Sequence, residues 1–144
     1  MFLPLLMIFF GIIDVSVAIF MKNTMQYAVR EGVRYGVTGQ TMSGNGAVAS
    51  IKAVVQANSM GFLAGSTGLN YIEVHFYDPY STPPLQEVTG VGANNTGHVL
   101  TVKVSGLPWN WIAPVGHSGG GALTISAASS DVMEAPPNGV LPSM

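Results

Sequence analysis

Residues 1–37 have the sequence MFLPLLMIFFGIIDVSVAIFMKNTMQYAVREGVRYGV, and this stretch decides the fold. From Met1 to Met21 the clearly polar side chains are those of Asp14 and Ser16, so a helix formed here is apolar on every side. Such a helix has to be surrounded by other apolar groups. At about 1.5 Å per residue the run extends roughly 32 Å, which matches a bilayer hydrocarbon core of about 30 Å. We therefore predict a helix that crosses a membrane and also suits the dry centre of a helical assembly.

The second half of this helix is predicted to be amphipathic. Apolar residues recur at three- and four-residue steps, as at Met25, Val29 and Val33, while the cations occupy other faces. Glycines at positions 36 and 39 are typical of a helix end. We expect this half to bury one side against the globular part of its own chain.

The rest of the sequence predicts an α+β protein in which a short helix and a small antiparallel β-sheet of about three strands follow the long helix. The assembly or transmembrane helix occupies residues 1–37, the globular domain 38–134, and a Pro-rich extended tail 135–144. Within the domain we predict a loop at 39–46, a helix at 47–60, strands at 69–77, 98–105 and 122–132, and a long loop at 78–97.

Composition excludes several classes of function. Only 8% of residues are charged, against about 25% in typical soluble domains, and 48% are hydrophobic. The net charge of −2 and the scattering of five cations leave no basic surface for nucleic acid. The chain has no cysteine, which rules out disulfides, thiolate catalysis and Cys-based metal sites.

Catalytic and modification motifs are few. Residues 116–120 (GHSGG) fit the G-x-S-x-G pattern, but no parallel βαβ series accompanies them, so we interpret them as a surface loop. His75, His98 and His117 have no ligand spacing. We therefore predict no enzyme activity, no metal and no cofactor. Asn94 begins a glycosylation sequon on a predicted loop, and its occupancy stays open.

Two tryptophans, Trp109 and Trp111, lie between prolines in a predicted loop. An exposed pair of this kind is typical of a contact surface. Packing over the edge of the sheet is an equal alternative, and the sequence does not separate the two.

Two short motifs carry a resemblance to a known family. They are Gly11–Asp14 (GIID) in the apolar run and Val29–Tyr35 (VREGVRY) at the end of the amphipathic stretch. Together they resemble the opening of TadE-like proteins of tight-adherence (type IVc) pilus systems. The resemblance implies an exported pilin-like protein that a prepilin peptidase and a pilus assembly machinery handle. Family members usually carry glutamate where Asp14 stands and begin further upstream, so we expect Met1 to be a processed end or the true start to lie upstream.

Asp14 is the one charge within the apolar run. A carboxylate in an apolar bundle requires a partner or a proton. Candidate partners in a neighbouring subunit are the amine of Met1 or, with an axial shift of about two helical turns, Lys22. A protonated or snorkelling Asp14 is the alternative. Arg30, Glu31 and Arg34 form either a solvated helix face or a charge seam between subunits.

The predicted function is that of a structural pilin-like subunit, which polymerises into a thin extracellular filament by packing its N-terminal helices. The alternative is an inner-membrane-anchored minor pilin or pseudopilin that primes or caps a pilus. Predicted partners are copies of itself, the prepilin peptidase, the assembly machinery and the inner membrane before assembly. The residues predicted to form the subunit interface are Phe2, Leu5, Phe9, Phe10, Ile13, Asp14, Val17, Phe20, Lys22, Arg30, Glu31 and Arg34.

Overall fold

The fold combines one long helix with two short helices and an antiparallel sheet, in a computed structural model that describes residues 2–110, 123–136 and 139–144. The sheet has the strand order β2-β1-β3-β4, and all its pairings are antiparallel. The predicted α+β class is confirmed. In chain order the elements are α1 (Phe2–Val37), α2 (Ala47–Ala57), α3 (Gly65–Leu69), β1 (Ile72–Asp78), β2 (Gln86–Val88), β3 (Val99–Trp109) and β4 (Leu123–Val132).

Helix α1 is continuous over 36 residues. Pro4 lies in its first turn, where a missing backbone N–H costs no hydrogen bond. The helix ends where Gly39 adopts a left-handed conformation, with φ of +66°, and donates its N–H to the carbonyl of Gly36 at 3.0 Å. This conformation suits glycine and closes the last turn.

The core lies between the second half of α1, helix α2 and one face of the sheet. From Met21 onward α1 buries one side, as predicted, including Met25, Ala28 and Val29. Facing residues on the other elements are fully buried as well, among them Ile51 on α2 and Val102 on β3. The globular part therefore includes the C-terminal half of α1, and this packing fixes the sheet beside the helix.

The sheet departs from prediction in two ways. Four strands form instead of about three, because the short strand β2 lies inside the predicted loop at 78–97 and pairs with β1. Strand β3 runs on to Trp109 rather than ending at Ser105. A bulge between Val104 and Leu107 contains Gly106 at φ +69°, which lets the strand bend and pair again with β4.

The helices also differ from prediction after α1. Helix α2 ends at Ala57, three residues before the predicted end at Met60, because polar side chains there bond to helix carbonyls. Asn58 Nδ2 donates to the Val54 carbonyl at 2.9 Å, and Ser59 Oγ donates to the Gln56 carbonyl at 2.7 Å. The five-residue helix α3 follows in a segment for which no helix was predicted.

The described part of the predicted tail packs against the globular part. The Ser143 carbonyl accepts the N–H of Ala47 at 2.6 Å, and the Pro142 carbonyl accepts Asn94 Nδ2 at 2.8 Å. Asn94 is only 1% exposed, so the sequon asparagine is buried within its loop. A glycan on that nitrogen would have to displace the tail.

Gly36 is a site where packing excludes a side chain. A Cβ there would lie 2.5 Å from Leu100 Cδ2 and 2.8 Å from Ile51 Cδ1, and both neighbours are buried and cannot move away freely. We expect Gly36→Ala to lower the free energy of unfolding by about 1–2 kcal/mol, because overpacking outweighs the gain in helix propensity. Denaturant unfolding in mild detergent measures the change.

The matched control is Gly11→Ala in the same helix, where a Cβ meets nothing within 4 Å. We expect this variant to unfold like the parent protein or slightly later. Equal effects of the two substitutions would contradict the close packing of α1 on the sheet.

Candidate assembly and membrane interface

The first half of α1, residues 2–21, projects from the globular part, and we call it the apolar rod. Its most apolar 18-residue window has a mean hydropathy of 2.4, and only 6% of that window is buried by the chain. Among the described residues this is the one helix long and apolar enough to cross a membrane. Exposed side chains occur around most of its circumference, because the rest of the subunit covers only a small part of the rod.

The apolar residues predicted to form the interface all lie on this rod, and most of them have large exposed fractions. Phe2 is 73% exposed, Leu5 64% and Phe9 59%. Ile13 and Val17 are half-buried, facing inward more than their neighbours. The remaining two aromatic residues are exposed by 36% at Phe10 and 49% at Phe20.

Asp14 has a different environment from the residues around it. Its side chain is fully buried, whereas Ile12 and Val15 beside it are 62% and 50% exposed. The burial comes from the subunit itself, since a single chain is present. For Asp14 to reach the amine or Lys22 of a neighbouring subunit, the atoms that cover it must first move. Met1 lies outside the described residues, and the pairing stays a prediction.

The charged residues of α1 lie on surfaces beside the sheet. Lys22 is exposed at the end of the apolar rod. Arg30 and Arg34 line one groove together with Asp131 at the end of β4 and Glu134 just after it. This groove therefore combines both signs of charge at a surface that water reaches.

Glu31 lies on the other side of α1 and is half-buried. It lines a separate groove with Arg34, Tyr35 and Val54. The structure thus places Arg30 and Glu31 in different surroundings, so a single charge seam would have to span both sides of the helix.

Helix α1 runs alongside β4, which is one of the two edge strands of the described sheet. Gln26 Nε2 donates to the carbonyl of Ala128 at 2.9 Å, and the N–H of Glu134 donates to the carbonyl of Val37 at 3.0 Å. The start of β4 consequently lies near the apolar rod and its end near the end of α1. The sheet therefore has a near end beside the rod and a far end away from it.

The sequence left open whether Trp109 forms a contact surface or packs over the edge of the sheet, and the structure shows its environment. It is partly buried against the core, and its indole Nε1 is buried with no acceptor among the described residues. Core packing therefore accounts for most of this side chain. Trp111 lies outside the described residues.

A polar cluster occupies the face of the sheet opposite the core. His75 Nδ1 lies 2.6 Å from Glu87 Oε1, and Lys103 Nζ lies 3.5 Å from Glu73 Oε2. The Ser105 hydroxyl donates to Glu73 Oε1. This hydrogen bond, together with Lys103 and His75, lowers the pKa of Glu73 below its ordinary value of 4.5 and outweighs the opposing effect of desolvation.

The lowered pKa of Glu73 predicts a dependence of stability on acidity. Because the pKa is lower in the folded than in the unfolded chain, ionised Glu73 stabilises the fold above about pH 4.5, and this contribution is lost as pH falls through the folded value. We expect Ser105→Ala to move the pKa of Glu73 back toward 4.5. Carboxyl NMR titration measures the change, with Ser126→Ala on β4 as the control, and an unchanged pKa in Ser105→Ala would contradict the assigned cause.

A metal site would require a group of ligating side chains placed close together among the described residues. Over residues 2–110, 123–136 and 139–144, no group of three or more His, Asp or Glu side chains is placed to hold a metal ion. The motif at 116–120 and His117 lie outside the described residues.

Comparison with known proteins gives a match that lies within α1 and the residue before it. Residues 1–34 match the family model described as TadE-like protein. The N-terminal segment of this chain is TadE-like. The resemblance predicted from the two motifs is thereby confirmed, over about a quarter of the chain. No curated protein and no solved structure matches the chain.

The TadE-like segment contains all twelve residues predicted to form the interface, from Phe2 to Arg34. It also contains the boundary at Met21, where α1 changes from an exposed rod to part of the core. The match supports a pilus-associated, pilin-like protein with an apolar N-terminal helix that can serve as a membrane anchor.

Sequence reasoning missed two features near this boundary. Phe62, from the loop after α2, packs against Phe20 in an edge-to-face contact with ring centroids 6.3 Å apart. Asp14 is covered by its own chain. Both depend on contacts between residues distant in sequence, for which no local pattern exists.

Proposed function

We propose that this protein is a pilin-like subunit that is held in the inner membrane by the first half of α1 and then polymerises into a thin extracellular filament. In the filament the apolar rods pack together at the centre and the sheets face outward. A prepilin peptidase and a pilus assembly machinery would act on the subunit before and during this transfer.

The observation that carries the proposal is the division of α1 at Met21. Before this residue eleven large apolar side chains are at least 36% exposed, and after it the helix belongs to the core. Full burial of one such side chain is worth roughly 1.5–3 kcal/mol, so covering the rod gains on the order of 10 kcal/mol. Lipid supplies this cover before assembly, and neighbouring rods supply it afterwards.

A structural role for the first half of α1 also agrees with its small number of polar groups. Along the rod the helix has one buried carboxylate and few other polar atoms. Its side chains therefore suit apolar packing better than polar binding or catalysis. Long apolar helices associate through side-chain packing. The TadE-like match supports the same interpretation, since it covers the rod and the turns that follow it.

The test is the composition of filaments sheared from cells that express the protein. We expect quantitative mass spectrometry to find this chain as the main component. Trace amounts at a few copies per filament would instead support the alternative, a membrane-anchored minor pilin that primes or caps a pilus. Absence of the chain from the filament fraction, with retention of all of it in membranes, would contradict the role of filament subunit.

A further inference from the structure

The end of the globular part nearest the rod carries an apolar surface on two sides of α1. On one side the loop after α2 presents Met60 and Phe62, and on another Leu123 at the start of β4 lines a groove together with the helix. We call these three residues the apolar collar. Met60 is 70% exposed and Leu123 40%, so the chain itself leaves the collar partly uncovered.

The collar lies beside the junction of the two halves of α1, since Met60 lines a groove with residues from Phe20 to Tyr27. Phe62 contacts Phe20, and the start of β4 at Leu123 shares a groove with Val15, Ile19 and Lys22. Val15 lies seven residues before Lys22, which is about 10 Å along the helix. A rod of residues 2–21 extends about 30 Å and fills a bilayer core, so the collar reaches the level of the acyl chains and headgroups.

Charge is absent from the described segments on the strand side and the loop side of this end. Residues 53–72, 104–110 and 123–130 contain no Asp, Glu, Lys, Arg or His. Asp78, Glu87 and Asp131 lie toward the far end of the sheet, and Glu73 near the start of β1 is paired with Lys103 on the face opposite the core. A surface that enters the boundary of a bilayer has to lack charges in this way.

Met60 is also held in an unusual backbone conformation. Its φ of 53° is left-handed, which is rare for a residue with a long side chain and costs energy. This conformation keeps a large apolar side chain at the surface beside Phe20 and Tyr27, with which Met60 lines a groove. Tyrosine, as at position 27, is enriched at membrane interfaces.

We infer that, in the membrane-anchored stage of the proposed function, the apolar collar rests in the boundary between headgroups and acyl chains. The globular part is then held upright on the bilayer by contacts on two sides of α1. Lipid fits this surface better than a second copy of the chain does, because the two grooves lie on different sides of the helix and overlap in depth near Phe20 and Lys22, where the rod ends. The exposed Lys22 lies at this depth and can meet anionic headgroups.

The experiment uses the full chain, whose lack of cysteine allows single-cysteine labelling. Met60→Cys and Leu123→Cys report on the collar, Ile8→Cys on the rod, and Tyr80→Cys on a residue that is 86% exposed beyond the far end of β1. Each variant carries an environment-sensitive fluorophore and is reconstituted as one copy per nanodisc. The lipid is phosphatidylcholine with phosphatidylglycerol, with bromine either near the headgroup or deep in the acyl chains.

At positions 60 and 123 we expect a blue shift of the fluorescence and quenching of the emission by bromine near the headgroups. At position 8 we expect quenching by bromine deep in the acyl chains. The probe at position 80 should show neither change. Collar probes that behave like the Tyr80→Cys probe, with Ile8→Cys still quenched, would overturn the inference and leave the membrane anchor intact. Loss of quenching at position 8 as well would contradict the anchored stage itself. Collar probes shielded only in discs crowded with protein would assign the surface to a second copy and likewise overturn the inference.

Discussion

Removal of residues 2–20 is expected to convert a protein that needs detergent into a folded, water-soluble monomer. The core begins at Met21, and the residues before it contribute little apart from the buried Asp14 and the contact between Phe20 and Phe62. The truncated chain keeps the half of α1 that packs on the sheet. Its loss of the rod removes the one continuous run of exposed large apolar side chains among the described residues, eleven of them between Phe2 and Phe20.

The measurements are size-exclusion chromatography without detergent, circular dichroism and thermal unfolding. We expect a monomer with a cooperative transition and no association with filaments or vesicles. Removal of residues 2–30 is the control, because it also takes Met21, Met25 and Val29 out of the core. Each such loss costs about 2–5 kcal/mol against a total stability of about 5–15 kcal/mol, so this shorter chain should not fold.

Two results would contradict this account of α1. If the chain without residues 2–20 aggregates or lacks a cooperative transition, the rod is part of the folding unit. If the full chain is monomeric and soluble without detergent while its rod stays accessible to protease, the apolar run does not require cover by lipid or by other copies.

The second large effect is expected at Asp14. We predict that Asp14→Leu leaves the globular part folded and lowers the yield of sheared filaments at least about tenfold. A loss of only about 1.4 kcal/mol per subunit contact raises the concentration needed for assembly tenfold. The reason is that a carboxylate in an apolar bundle restricts how its neighbours can pack, since only arrangements that compensate its charge are favourable.

Two variants separate charge from other effects. Asp14→Asn keeps the size of the side chain and removes the charge, and we expect it to assemble as poorly as Asp14→Leu. Ser16→Leu is the control, because Ser16 is exposed and its hydroxyl bonds to the carbonyl of Ile12, at 2.7 Å in its own helix. Filament yield is measured by shearing and immunoblotting, and folding by thermal unfolding in detergent.

The fully buried position of Asp14 sharpens the interpretation of these variants. Normal filament yield from Asp14→Leu would remove Asp14 from assembly altogether. If Asp14→Leu instead lowers the unfolding temperature in detergent and lowers the filament yield to a matching degree, then Asp14 stabilises the fold of its own subunit. A stable globular part with few filaments is the outcome that supports a role between subunits.

The long helix and its two halves could be predicted from the sequence. The run from Met1 to Met21 is apolar on every side, and the spacing of Met25, Val29 and Val33 marks a single buried face. Both patterns are local and dominate their segments, so tertiary packing does not override them. The same holds for the alternating residues of β1 and β3, which pair in register with Val74 opposite Val102.

The features that the sequence did not predict depend on partners far along the chain. Strand β2 has three residues and exists because β1 offers it an edge, with Tyr77 opposite Glu87. The extension of β3 to Trp109 requires β4 beyond the bulge at Gly106. The burial of Asn94 requires the tail, through the carbonyl of Pro142.

By itself, the sequence determined that this protein has an apolar helix long enough to cross a bilayer, an amphipathic continuation and a small α+β domain, because side-chain periodicity within one segment is enough for each. Only the tertiary structure decided that Asp14 is covered by its own subunit, that Leu123 lies in a groove with Ile19, and that Met60 lies in another with Phe20 and Tyr27. These positions arise from contacts between residues distant in sequence, and such contacts are set by how the elements pack together and by no pattern within any one of them.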